Sequence, residues 1–223
     1  MASPWKALLR ECDIVFHIHI PKTGGTSILK ALQNSTEFLD VGKQPYGQHA
    51  SDRWWLHVRA VRTVNKAISS HTLKVVVSAE TGIPDLILNK YPWFNRTCFF
   101  SAVRDPYEWV LSAANHMRLG SKLVGLNHSF AYFDIPNIQS HMTGLASNAA
   151  AWPGGTVCVA PIDRVPAMLL TFSNASGLPV ANAHPHSTTH TAELEAVVRS
   201  KYAQDSHLWN LVSQEAEGRA LCW

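Results

Sequence analysis

The sequence predicts an α/β fold, a mostly parallel central sheet with flanking helices. Three observations lead there. Runs rich in β-branched and aromatic residues recur at 13–20, 73–79, 97–103 and 156–160, each of strand length. Between them, apolar residues fall at helical spacing. Strands that alternate with helices need crossover connections, and crossovers build parallel sheets covered on both faces.

The first run, DIVFHIHI, reads as a buried strand with His17 and His19 as core or sheet-face residues. A Pro-Lys-Thr-Gly-Gly-Thr-Ser turn follows, then a short helix from Ser27 to about Leu32. Residues 52–70 set Trp54, Val58, Val61, Val64 and Ile68 on one face of an amphipathic helix. LKVVVSA and TCFFSAV supply the second and third strands. Pro106 suits the first turn of a helix that runs through Trp109, Val110, Ala113 and Met117. TVCVA is the fourth strand, and the helix after it carries Val165, Met168, Leu169 and Phe172. The tail from Thr191 to Val212 reads as a helix burying Leu194, Val197, Val198, Leu208 and Trp209. Residues 120–150, rich in Gly, Asn, Ser and His, read as an irregular lid or substrate loop.

The chain has 223 residues, 46% of them apolar and 16% charged, which suits one globular domain over 1–223 with residues 1–12 as an N-terminal extension. A net charge of +3 without a basic stripe argues against a nucleic-acid partner. No apolar stretch reaches the roughly 20 residues of a membrane span. Lys6, Arg10 and Glu11 interrupt the start, so no signal peptide is expected. Sequons at Asn34, Asn95, Asn127 and Asn174 point instead to a glycoprotein of the secretory pathway, which leaves Golgi and cytoplasm both open. None of the four cysteines forms a CxxC pair. Cys98 and Cys158 read as buried free thiols, a disulfide being the alternative in a secretory compartment. Oligomeric state is open.

The most informative stretch is Pro21-Lys22-Thr23-Gly24-Gly25-Thr26-Ser27, between a strand and a helix. Adjacent glycines let the backbone turn sharply, so that successive N–H groups point into one concavity. The helix start adds its partial positive charge, and Lys22, Thr26 and Ser27 add donors. Such a cradle fits an anion with several acceptor oxygens; the plain alternative is an ordinary tight turn. A nucleotide kinase would show GxxxxGK[ST], yet Lys22 precedes the glycines and no Gly-Lys-Ser/Thr occurs. No metal site is expected. His184, His186 and His190 have a loosely metal-like spacing, which is the alternative to this expectation.

A second motif, Arg104-Asp105-Pro106, follows the third strand, with Ser112 two helical turns on and then His116, Arg118 and Gly120. An Arg fork and a Ser hydroxyl can converge on one phosphate. The plain alternative is an Arg104–Asp105 pair or a helix cap.

In order and residue types the two motifs resemble the donor site of sulfotransferases that use 3′-phosphoadenosine 5′-phosphosulfate (PAPS). The likeness is greatest to the Golgi carbohydrate enzymes of the heparan sulfate 6-O type, and it spans about residues 14–212. It implies a P-loop-like sulfotransferase fold, PAPS as donor and a carbohydrate acceptor. Lys22, Thr23, Gly24, Gly25, Thr26 and Ser27 would hold the 5′-phosphosulfate, Lys22 also stabilising the leaving group. Arg104 and Ser112 would hold the 3′-phosphate, and Ser187 would touch the nucleotide. The base implied is His49 in Gly47-Gln48-His49-Ala50-Ser51-Asp52, although an inserted Ser51 and an Arg53 before Trp54 break the family's His-Ala-Asp-Trp pattern. Glu80, after the second strand, is the alternative base. Asn137-Ile138-Gln139 resembles the family's Asn-x-Gln helix start, and Tyr202, Asp205, Leu208 and Trp209 resemble its closing helix. Two other functions are weighed: a P-loop-like phosphotransferase, and a nucleotide- or glycan-binding module without catalysis.

Overall fold

A computed structural model describes Cys12 and residues 14–28, 38–43, 74–79, 97–116, 136–144, 156–165, 191–215 and 221–222. Its centre is a six-stranded sheet in the order β2-β3-β1-β4-β5-β6. The strands are β1 (Ile14–Ile18), β2 (Phe38–Lys43), β3 (Lys74–Ala79), β4 (Thr97–Val103), β5 (Val157–Pro161) and β6 (Leu221–Cys222). The first five pair in parallel; β6 closes one edge antiparallel to β5. The predicted α/β class and mostly parallel sheet are thus observed, with the glycine loop leaving β1 in the P-loop-like position.

Every residue of β1, β4 and β5 is buried, whichever face it points to. Both faces are therefore covered, and this explains why the strands read as continuous apolar runs instead of alternating ones. Phe16 and Phe99 pack with ring centres 5.7 Å apart in the middle of that core. His17 and His19 are buried too, as the sequence predicts.

Four helices are described: α1 (Pro106–His116), α2 (Ile138–Thr143), α3 (Ala192–Lys201) and α4 (Ala203–Gln214). Asp105 caps α1, its Oδ1 accepting from the N–H groups of Tyr107 and Glu108 at 2.9 and 3.2 Å. Arg164 donates to the carbonyls of Ser213 (2.8 Å) and Glu215, closing the far end of α4. None of the described helices is long and apolar enough to cross a membrane.

Four expectations need correction. The tail is two helices, because Tyr202 leaves helical geometry (φ −111°, ψ 45°) where its ring packs edge-on against Trp109, 5.7 Å between centres. Val197 is consequently exposed, while Val198, Leu208 and Val212 are buried. β2 and β6 were not anticipated: one carries Asp40, Gly42 and Lys43, and the other has two residues. The segment 120–150, read as irregular, holds α2 at Ile138–Thr143, beginning at the Asn137-Ile138-Gln139 motif that resembles a helix start; of this segment only 136–144 are described. Finally, Cys98 and Cys158 are buried but not free: disulfides join Cys12 to Cys98 and Cys158 to Cys222. The second follows from register, since Cys158 and Cys222 lie opposite each other across β5 and β6. The predicted helices over 52–70 and over Met168–Phe172 lie outside the described residues, as do the asparagines of the four sequons.

Candidate functional site

β1 and β4 are neighbours in register, with Ile14 beside Thr97 and His17 beside Phe100. The connection after β1 leads to the β2–β3 side of the sheet, and the one after β4 leads to the β5 side. Where two connections diverge, a crevice opens at the carboxyl ends of the strands, the usual ligand position in parallel sheets. Lys22 stands at one lip of this crevice and Arg104 at the other. The two motifs read from sequence therefore meet in space.

The first loop bends twice through left-handed backbone, at Lys22 (φ 67°) and Gly24 (φ 81°). Glycine adopts this freely, but for lysine it costs about 1–2 kcal/mol. Thr23 is buried and ties the turn, its hydroxyl donating to the Ile20 carbonyl at 2.9 Å. A helical turn starts at Gly25, with the N–H groups of Ser27 and Ile28 donating to the Gly24 carbonyl at 2.9 and 3.1 Å. Gly24 lies under the Ile162 side chain from the loop after β5, so three loops converge at this end of the sheet.

α1 is fixed to this loop. Trp109, fully buried, donates its indole N–H to the Pro21 carbonyl at 2.7 Å. Ser112 and His116 are three and seven residues further on, which keeps both near the Trp109 side of the helix. Ser112 is half-buried and His116 exposed.

The electrostatics are those of a cation cluster. Burial, then the nearby Arg104 guanidinium, hold the Lys22 ammonium below its usual range. Burial pushes Arg104 down as well, against the upward pull of Glu108 and Asp105. The carboxylate of Glu108 reaches Arg104 only at 3.7 Å. Lys22, and to a lesser degree burial, lower His116. Three basic groups held this close, each below its normal proton affinity, suit an anion that would relieve their repulsion. The plain reading of Arg-Asp-Pro is half right: Asp105 is a helix cap, and its Oδ2 pairs with Arg199 at 3.2 Å, so it is already engaged.

Gln139 is the functional residue that sequence reasoning placed only in a helix-start motif. Its side chain accepts from the Arg104 N–H at 2.8 Å and donates to the Arg104 carbonyl at 2.9 Å. It thus extends the pairing of β4 by one residue and fixes the backbone that bears the guanidinium. Gln139 is fixed in turn by Asp205, which accepts from the N–H groups of Gln139 and Ser140 at 3.2 and 2.7 Å. Asn137 returns the arrangement, accepting from the N–H groups of Gln204 and Asp205 at the start of α4. The Asn-x-Gln spacing was the available signal; nothing in sequence ties it to Arg104.

His49, Glu80 and Ser187 lie outside the described residues, and so do His184, His186 and His190. Among the described residues, no three His, Cys, Asp or Glu side chains gather as a metal-ligating group.

No family model and no curated protein matches the chain. Among solved structures, it is similar to a sulfotransferase from Alicyclobacillus acidocaldarius, with TM-score 0.46 and 12% identity over 91% of this chain and 96% of that one. It is also similar to a structure of the PezAT chromosomal toxin-antitoxin system of Streptococcus pneumoniae, with TM-score 0.34 and 11% identity over 94% and 90%.

Proposed function

We propose that the chain is an O-sulfotransferase that moves a sulfuryl group from PAPS to a hydroxyl of a carbohydrate. One observation carries the reading. Lys22 and Arg104, each in a motif that resembles one half of a PAPS site, follow adjacent strands and are close enough that the Arg104 guanidinium lowers the proton affinity of Lys22. The residues present fit such a donor: a cradle with no room for a Cβ at Gly25, and two half-buried cations, of which Arg104 meets the Glu108 carboxylate only at 3.7 Å.

In this reading residues 23–27 hold the 5′-phosphosulfate, while Arg104 and Ser112 hold the 3′-phosphate. The acceptor oxygen bonds to sulfur in line as the bond from sulfur to the bridging phosphate oxygen breaks. Lys22 meets the negative charge left on that oxygen. The hydroxyl proton passes to His49, with Glu80 as the alternative base, and Ser187 adds a nucleotide contact. The carbohydrate acceptor rests on the family resemblance of the two motifs. The two disulfides support an oxidising compartment such as the Golgi lumen.

Calorimetry with 3′-phosphoadenosine 5′-phosphate and with Mg·ATP tests the donor. The first should bind at least about tenfold tighter, a difference of roughly 1.4 kcal/mol. Equal affinity would overturn the reading and favour a phosphotransferase. Sulfate transfer from labelled PAPS to a panel of glycans and phenols tests the reaction. Donor binding without transfer to any of them would identify a binding module instead.

A further inference from the structure

We propose that His19 is a positioning residue of the anion loop, its buried ring forming the floor on which Gly25 seats. The proposal rests on the reading of residues 22–27 as an anion cradle.

Gly25 lies directly against that ring. A Cβ built at Gly25 would fall 1.9 Å from Cδ2, 2.1 Å from Nε2 and 2.7 Å from Cγ of His19. These separations are far inside van der Waals contact, so either the loop or the ring would have to move. The ring has little room to yield. It is buried and stacks on His17, with centres 5.6 Å apart and planes 19° off parallel. His17 in turn stacks on Phe100 at 4.8 Å and 25°. Two residues apart on an extended chain, His17 and His19 project to the same side. His17 and Phe100 are partners in the β1–β4 register. The column therefore runs from β4 through β1 to the underside of the loop.

This assigns a purpose to a histidine pair that the sequence reads only as core. β1 and β4, which lead into Lys22 and Arg104, also carry His17 and Phe100 of the stack that sets the height of the loop between them. The directions of the backbone N–H groups around Gly25 follow from that height, and a cradle for oxyanions tolerates little displacement. An effect on the loop alone should fall on the 5′ end of the nucleotide and spare the 3′ end, which Arg104 and Ser112 hold.

The test is a double-mutant cycle of Gly25→Ala and His19→Ala. Affinities are measured by calorimetry for 3′-phosphoadenosine 5′-phosphate, adenosine 3′-phosphate and pyrophosphate, and melting midpoints are recorded for all four proteins. Gly25→Ala should cost about tenfold or more in affinity for the two ligands with a 5′-side anion, and His19→Ala about three- to tenfold. Adding Gly25→Ala to His19→Ala should cost less than about twofold further, because the ring that the methyl would strike is gone. Adenosine 3′-phosphate should stay within about twofold throughout. If Gly25→Ala does not fold alone, recovery of folded protein in the double variant supports the proposal, and failure to recover it overturns the proposal. Equal cost of Gly25→Ala in both backgrounds, or parallel loss of adenosine 3′-phosphate, also overturns it. Wild-type protein that shows the cycle with pyrophosphate but binds neither nucleotide keeps the proposal and defeats the PAPS reading. Wild-type protein that binds no anion defeats both.

Discussion

Lys22 is held in a backbone conformation that disfavours it, beside a cation that repels it. Residues so placed trade stability for function. Lys22→Asn removes the charge and tolerates left-handed backbone, so thermal melting should show a gain of up to about 1 kcal/mol. Sulfuryl transfer should fall about a hundredfold or more, because the leaving oxygen loses its cation. A variant that lost stability along with activity would remove the argument for strain. His17 gives a pH signature of its own. Burial, and second the neighbouring His19, hold its proton affinity well below the ordinary value of 6.5. Below about pH 6.5 the unfolded chain takes up a proton that the folded ring refuses. Stability from this group is thus complete above 6.5 and is lost as pH falls, by at most about 1.4 kcal/mol per pH unit. Melting midpoints between pH 7 and 5 should decline, and His17→Phe should flatten the decline.

Among the elements, α2 and α4 cap each other, and the consequence reaches the site. Asp205→Ala would leave the N–H groups of Gln139 and Ser140 without their carboxylate, at about 1–3 kcal/mol each. Gln139 would then hold the Arg104 backbone less firmly, so urea unfolding and affinity for 3′-phosphoadenosine 5′-phosphate should fall together. Asp105→Ala is the control on α1. It removes a helix cap, worth about 1 kcal/mol, and the partner of the exposed Arg199 guanidinium, a pair that solvent weakens. Stability should drop while the effect on nucleotide affinity stays smaller than for Asp205→Ala. The opposite ranking would mean that Gln139 does not position Arg104.

For the molecule as a whole, the two disulfides close long stretches of chain, with partners 86 and 64 residues apart. Cross-links of that span stabilise by about 2–4 kcal/mol each, chiefly by restricting the unfolded chain. Reduction should therefore lower the melting midpoint by roughly 5 °C or more in a domain of this size. Free-thiol titration of the denatured, unreduced protein should find no free thiol. Titration of four thiols would restore the reading of Cys98 and Cys158 as free and remove the support for an oxidising compartment.

Local patterns in the chain were enough for the parallel α/β class, for β1, β3, β4, β5 and α1, and for both motifs of the anion site. Each of these depends on neighbours in sequence: a continuous apolar run where both faces are buried, a glycine where the backbone turns left-handed, a proline where a helix begins. The structure alone decided the rest. Strand order put Lys22 beside Arg104, antiparallel register put Cys158 opposite Cys222, and packing against Trp109 broke the tail at Tyr202. Gln139 clamps a residue 35 positions away, and His19 acquires its meaning from Gly25 above it and Phe100 behind it. The physical reason is common to all of these: such contacts join distant segments, and only the folded chain fixes which segments meet.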